Sequence, residues 1–196
     1  MKVLIVGAGP AGLTTAVELA RRGIVSDVID LRESGSGLSR AVGIMPASLE
    51  ILRRSGVTGK LVAEGMKFRQ VCIYRHSSLA LALPLKGSVA DDGFILGLAQ
   101  DRTETHLRDA LSELGGTVRY GTELVDLCQD ANKVTVEMRD GAKAEYDYVV
   151  GADGVGSTTR ELLNIDFRGH DLPETWSIAD VDPKAGPTQT PSPFAS

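Results

Sequence analysis

Residues Lys2–Gly23, KVLIVGAGPAGLTTAVELARRG, followed by Ser26–Asp30, SDVID, decide how this chain is read. The apolar run Val3–Val6 predicts a first strand and leads into Gly7-x-Gly9-x-x-Gly12. Beyond the glycines, Leu13, Val17 and Ala20 recur at helical spacing, with small Ala16 four residues after Gly12 and Gly23 at the end. A second apolar run, within Ile24–Leu31, finishes on the acid Asp30. This is the pattern of a βαβ unit that holds a dinucleotide. Gly7 allows the tight turn after the strand, Gly9 lets backbone approach a pyrophosphate, and Gly12 lets helix and strand pack closely. The helix begins at Pro10 and Ala11, and its free N–H groups and dipole favour a phosphate there. Asp30 is placed to accept hydrogen bonds from ribose hydroxyls.

A lone GxGxxG is a weak signal, since turns are rich in glycine. Here it lies between a strand and a helix, with an acid about 20 residues further on, which is the context that gives it meaning. The bland alternative is a strand–turn–helix without a ligand. NAD and FAD both use the motif, so it does not choose between them.

At 196 residues the chain fits one domain, or one domain and part of another. Its 42% hydrophobic and 24% charged residues are ordinary globular values. A formal net charge of −5 argues against general nucleic-acid binding, which needs a basic footprint. Cys72 and Cys128 are far apart and form no CxxC, so neither a metal site nor a dithiol is expected, and a reducing cytoplasm fits. Val3–Val6 is interrupted by Gly7 and Pro10 and reads as a strand rather than a signal peptide. No run approaches the ~20 apolar residues of a membrane span.

Further along, Pro46–Ser55 reads as a helix, and 70–74, 79–85 and 94–98 read as strands. Asp101–Leu114 is a strongly periodic helix, with Asp101 and Glu104 in a capping-box pattern. Strands are expected at 118–120, 123–128, 134–139 and 143–150, with a hairpin turn at Asp140-Gly141. The last is expected to end as a fully buried strand at Tyr148-Val149-Val150. A short helix follows at Ser157–Leu163, with Thr158 and Glu161 as a second capping pattern, and Pro183–Ser196 reads as a mobile tail. The sum is an α/β fold, a Rossmann-like βαβ with an inserted antiparallel β-meander.

Three later features narrow the ligand. Arg40, in Ser39-Arg40-Ala41, follows the second strand; its bland reading is a solvated loop residue. Gln100 stands immediately before the long helix that opens at Asp101, near a helix N-terminus where phosphates bind, although a polar residue there needs no ligand. Gly151-Ala-Asp153-Gly154-Val-Gly-Ser157-Thr-Thr-Arg160 joins a strand end to a helix, and strand carboxyl ends are where α/β sheets bind ligands.

Together these features resemble the group A FAD-dependent aromatic monooxygenases, the para-hydroxybenzoate hydroxylase-like enzymes, over about Met1–Asp182. The resemblance implies that Gly7, Gly9, Pro10, Ala11, Gly12 and Asp30 hold the ADP half of FAD. It implies further that Arg40 and Gln100 contact the flavin, and that Asp153, Gly154, Ser157 and Arg160 form the family's DG motif, serving FAD and NAD(P)H. Thr159 stands where the family usually has an apolar residue. The later GDAAH-type segment of the family is not found in this chain, and most of the substrate domain is missing. The expected division is a FAD-binding domain over 1–168, with strands of 66–99 on the substrate side, and the start of a truncated substrate domain over 169–196. The chain thus looks like the N-terminal part of such an enzyme, whether a truncated gene, a fragment or one half of a split protein.

The implied activity is NAD(P)H-dependent hydroxylation of a small aromatic substrate by O₂ through a C4a-hydroperoxyflavin. Catalytic side chains are not identified: His76, His106 and His170 read as surface or structural residues. Two alternatives stand beside it. One is a non-catalytic flavin-binding remnant or subunit that needs a second chain to supply the missing half. The other is an NAD-dependent dehydrogenase.

Overall fold

The computed structural model describes residues 1–35, 43–76, 78–85, 93–170 and 173. Arg40, Trp176 and the Pro183–Ser196 tail lie outside the described residues. The chain divides into two units, Met1–Asp166 and Phe167–Ser196, and the elements below all belong to the first.

The opening strand β1 (Val3–Val6) runs into α1 (Pro10–Ala20), and β2 (Asp27–Ile29) follows. Next come β3 (Gly43–Ile44), α2 (Pro46–Arg53), α3 (Val57–Glu64), β4 (Met66–Phe68), β5 (Gln70–Arg75), β6 (Ser78–Pro84) and β7 (Ile95–Gly97). The long helix α4 (Gln100–Glu113) leads to β8 (Val118–Arg119), β9 (Leu124–Gln129), β10 (Val134–Met138), β11 (Lys143–Tyr146), β12 (Tyr148–Gly151) and α5 (Thr158–Leu162).

A parallel sheet in the order β12-β1-β2-β8 organises the unit. Side chains of a strand alternate between its faces. Val3 and Ile5 therefore pack with Val28 against α1 and α4, in a core that includes Leu13, Val17, Leu107 and Leu111. Leu4 and Val6 point the other way, with Ile29, and meet Leu124, Val136, Met138 and Tyr146 of the antiparallel meander β9–β10–β11. Covered on both faces, β1 needs apolar residues at every position, which is why it reads as an unbroken run. The Tyr146 hydroxyl donates to Asp27 Oδ2 at 2.7 Å and ties the meander to the sheet. Burial, together with Asp27, pushes that phenol up to about 12.

Several expectations need correction. The 143–150 run is two strands in two sheets, because the chain changes partners at Asp147. Its N–H donates to the Lys2 carbonyl at 2.8 Å, and its carboxylate accepts from the Lys2 N–H at 2.6 Å. The strand β12 is not fully buried: it is the sheet's edge, and Tyr148 is 61% exposed. Helix α3 was not anticipated. Gly56, at φ +77, ends α2 and starts α3 almost at once, and Val57 and Leu61 anchor it in the core. The second strand is shorter than Ile24–Leu31, since only Asp27–Ile29 pairs with β1. Neither capping box forms as expected. At α4 the N-cap is Ala99 with no side-chain cap, and Glu104 turns into the interior. At α5 the cap is Ser157, one residue before Thr158, and the Ser157 Oγ accepts from the Arg160 N–H at 3.0 Å.

Candidate dinucleotide site

The carboxyl ends of β1, β2 and β12 meet at one cleft of about 480 Å³. Gly7, at φ +103, turns the chain from β1 toward α1. A side chain there would overlap the Ala152 carbonyl, and one at Gly12 would overlap the Gly7 carbonyl. Gly9 differs: an added Cβ would meet nothing within 4 Å. It is backbone facing open space in the cleft wall. No side chain caps α1, and Pro10 occupies its first turn without an N–H of its own. The helix therefore presents N–H groups and the positive end of its dipole to the cleft.

Asp30 closes one side of the cleft. It is 7% exposed, and its four acceptor sites are matched by four donors. Oδ2 accepts from the Ala8 N–H at 2.7 Å and Arg32 Nη2 at 2.9 Å. Oδ1 accepts from the Arg32 N–H at 2.8 Å and Arg32 Nε at 2.9 Å. Burial pushes the Asp30 carboxyl up, but the guanidinium and the two backbone N–H groups outweigh it and hold it below its ordinary value.

The other wall comes from the segment after β12. Asp153 lines the cleft, but its carboxylate turns into α5: Oδ1 accepts from Ser157 Oγ at 2.5 Å, and Oδ2 from the Thr159 N–H and Oγ1 at 2.9 and 3.0 Å. Gly154 turns the chain at φ +87, and Arg160 Nη2 donates to the Val155 carbonyl at 2.9 Å. Thr159 thus has its own reason to be polar where an apolar residue was expected. Glu123, also at the cleft, pairs with Arg139.

Beside this cleft lies a second, more apolar one of about 390 Å³, lined by Thr14, Ile44, Met45, Ile51 and Leu52 among others. Pro10, Ala11 and Gln100 border both. The structure therefore gathers Gly7, Gly9, Pro10, Ala11, Asp30, Gln100, Asp153 and Gly154 around one space, with Gly12 packed behind the turn and Ser157 and Arg160 supporting the far wall. Sequence reasoning missed Arg32 and Glu104. The fully buried Glu104 lines the same cleft, and its Oε2 lies 3.6 Å from Arg32 Nη1. His106, read as structural, bonds through Nε2 to Glu64 at 2.7 Å on the surface of α4.

A glycine turn at a parallel strand end, an uncapped helix start and an acid at the end of the next strand define a dinucleotide-binding protein of the Rossmann type. The open backbone at Gly9 and the apolar cleft next door suit a dinucleotide with a large flat ring, so the residues present fit FAD. The chain belongs to the FAD binding domain family, which it matches over residues 1–195. It is 37% identical over 194 residues to the 6-methylpretetramide 4-monooxygenase of Streptomyces rimosus, covering 92% of this chain and 33% of that protein. Among solved structures it is similar to p-nitrophenol 4-monooxygenase PnpA from Pseudomonas putida DLL-E4, with a TM-score of 0.80 and 27% identity over 86% of this chain and 44% of that one. It is likewise similar to the flavin-dependent monooxygenase PieE, solved with FAD and substrate, with a TM-score of 0.75 and 27% identity over 87% of this chain and 33% of that one. The chain spans about a third of the length of the curated relatives it matches. Among the described residues no helix is long and apolar enough to cross a membrane.

Proposed function

We propose that this chain is the FAD-holding part of a cytoplasmic, NAD(P)H-dependent monooxygenase that hydroxylates a small aromatic substrate with O₂. The observation that carries this reading is the open backbone at Gly9, set between an uncapped helix start and an apolar cleft. The Gly7–Gly12 turn and the N–H groups of the first turn of α1 would hold the diphosphate. Because the acceptor sites of Asp30 are taken, a ribose hydroxyl would bind there by replacing one of the two Arg32 side-chain bonds. Gln100, which borders both clefts, would meet the flavin part of the cofactor. Asp153, Ser157 and Arg160 hold the β12–α5 turn in shape, so that Gly154 and the backbone beside it line the site. When bound, FAD supplies the electron transfer and oxygen activation. The protein's part is to bind it, orient it and limit water at the ring. The dehydrogenase alternative is set aside, since the family matched is a FAD-binding one.

The test is the visible spectrum of the purified chain after addition of FAD and gel filtration. A retained flavin spectrum is expected; a colourless protein overturns the reading. NAD(P)H oxidation in the presence of a phenol is expected to give little hydroxylated product from this chain alone. A second reading, a flavin-binding subunit completed by another chain, is favoured by the exposed apolar residues of β5 and β6. Coupled product formation by the isolated chain would exclude it.

A further inference from the structure

Glu104 stands at the third position after Asp101, where the sequence reads as a helix cap, yet its side chain is fully buried. A buried carboxylate persists only where partners satisfy it. Oε1 accepts from Gln100 Nε2 at 2.9 Å, one turn back on α4. Oε2 faces Arg32 Nη1 at 3.6 Å, and Arg32 clamps Asp30 through Nε and Nη2. Asp30 in turn holds the Ala8 N–H inside the glycine turn. One polar chain thus runs from α4, through the end of β2, to the β1–α1 turn, along the wall of the cleft.

We propose that Glu104 is a positioning residue that sets which face of the Gln100 amide the ligand meets. A carboxylate only accepts, so Gln100 must give it an N–H. With one N–H committed to Glu104 the amide is held in one orientation, its Oε1 turned away from Glu104, on a residue that borders both clefts. A carbonyl oxygen there reads a donor: it selects a hydroxyl on the part of the ligand between diphosphate and ring, the polyol chain in the case of FAD. The inference rests on the reading of the cleft as a FAD site.

The test compares Glu104→Gln, Gln100→Ala and the double variant. In Glu104→Gln an amide faces an amide, which can both donate and accept, so the orientation of Gln100 is no longer imposed. In the ligand-free protein the side-chain amide resonance of Gln100 is expected to move in Glu104→Gln. In FAD titrations each single variant is expected to weaken binding roughly tenfold, the value of one hydrogen bond of ordinary strength. The double variant is expected to be no weaker than Gln100→Ala. Should Glu104→Gln not fold, Glu104→Asp carries the same expectations, since it keeps a charge beside Arg32 while withdrawing from Gln100. An unmoved Gln100 resonance, wild-type affinity in the Glu104 variant, or losses that multiply in the double variant would each overturn the proposal. Wild-type protein that retains no FAD would instead overturn the functional reading, and the resonance would still decide the Gln100–Glu104 pairing.

Discussion

The glycine-turn cleft and the β5–β6 ribbon are both rich in apolar residues, but they stand in opposite conditions. Around the cleft, Leu4, Ile5, Ala8 and Leu13 are completely buried, and the carboxylate of Asp30 is fully partnered. On the ribbon, Val71, Ile73, Leu79, Leu81 and Leu83 are each between 42% and 48% exposed. Its two strands pair with each other and with no third strand among the described residues. A two-stranded ribbon is marginal on its own in water. The difference separates what this chain specifies by its own contacts from what its composition prepares for further cover. Substitutions in the two regions should therefore differ in size.

The largest effect is expected at Gly12. A Cβ there would overlap the Gly7 carbonyl, which is backbone and cannot swing aside. Gly12→Ala should cost roughly 3 kcal/mol or more and abolish FAD retention, as read by urea unfolding and gel filtration. Next is Ile5→Ala, which empties a fully buried position between sheet and helices. It should cost about 2–5 kcal/mol by the same unfolding measurement. A near-neutral result at either site would break the comparison from the buried side.

Those two positions are also the most legible in the sequence, for the same physical reason. A β1 covered on both faces must be apolar throughout, and a helix position pressed against the Gly7 carbonyl must be glycine. Local pattern and tertiary demand coincide there. They part at Glu104. Its spacing from Asp101 suits a cap, but the decision is made by Arg32 and Gln100, which no local rule relates to it. They part again at Asp147, where one apolar-rich run serves two sheets because the bonds that divide it go to Lys2, at the other end of the unit. The α3 helix was hidden by its brevity and by Gly59 within it, and only the burial of Val57 and Leu61 reveals why it forms.

A smaller effect, and one tied to pH, is expected where α3 meets α4. Arg102 and then His106 hydrogen-bond Glu64 and pull its carboxyl down from 4.5 to about 2. A carboxyl depressed in the folded state stabilises above its unfolded value, and that stabilisation disappears as pH falls through the folded value. The melting temperature of wild type relative to Glu64→Gln should therefore be higher at neutral pH, and the two should converge between about pH 4.5 and about pH 2. A constant difference across that window would show that the pair contributes packing rather than charge. Glu64 and Arg102 are open to water, so added salt should shrink the gap.

The smallest effect is expected on the ribbon, and it sharpens the comparison most. Leu81 pairs across from Ile73 on the antiparallel ladder, and both side chains remain nearly half exposed. Leu81→Thr keeps a strand-forming residue and removes apolar surface that water already reaches. The unfolding free energy should change by no more than about 0.5 kcal/mol, the range of ordinary surface substitutions. The effect to watch is on association. If the ribbon takes cover from a partner, Leu81→Thr should leave the stability of the isolated chain unchanged and weaken that assembly. A loss as large as that of Ile5→Ala, measured in dilute monomer, would mean that the ribbon is already packed within the chain, and the contrast between the two regions would fail.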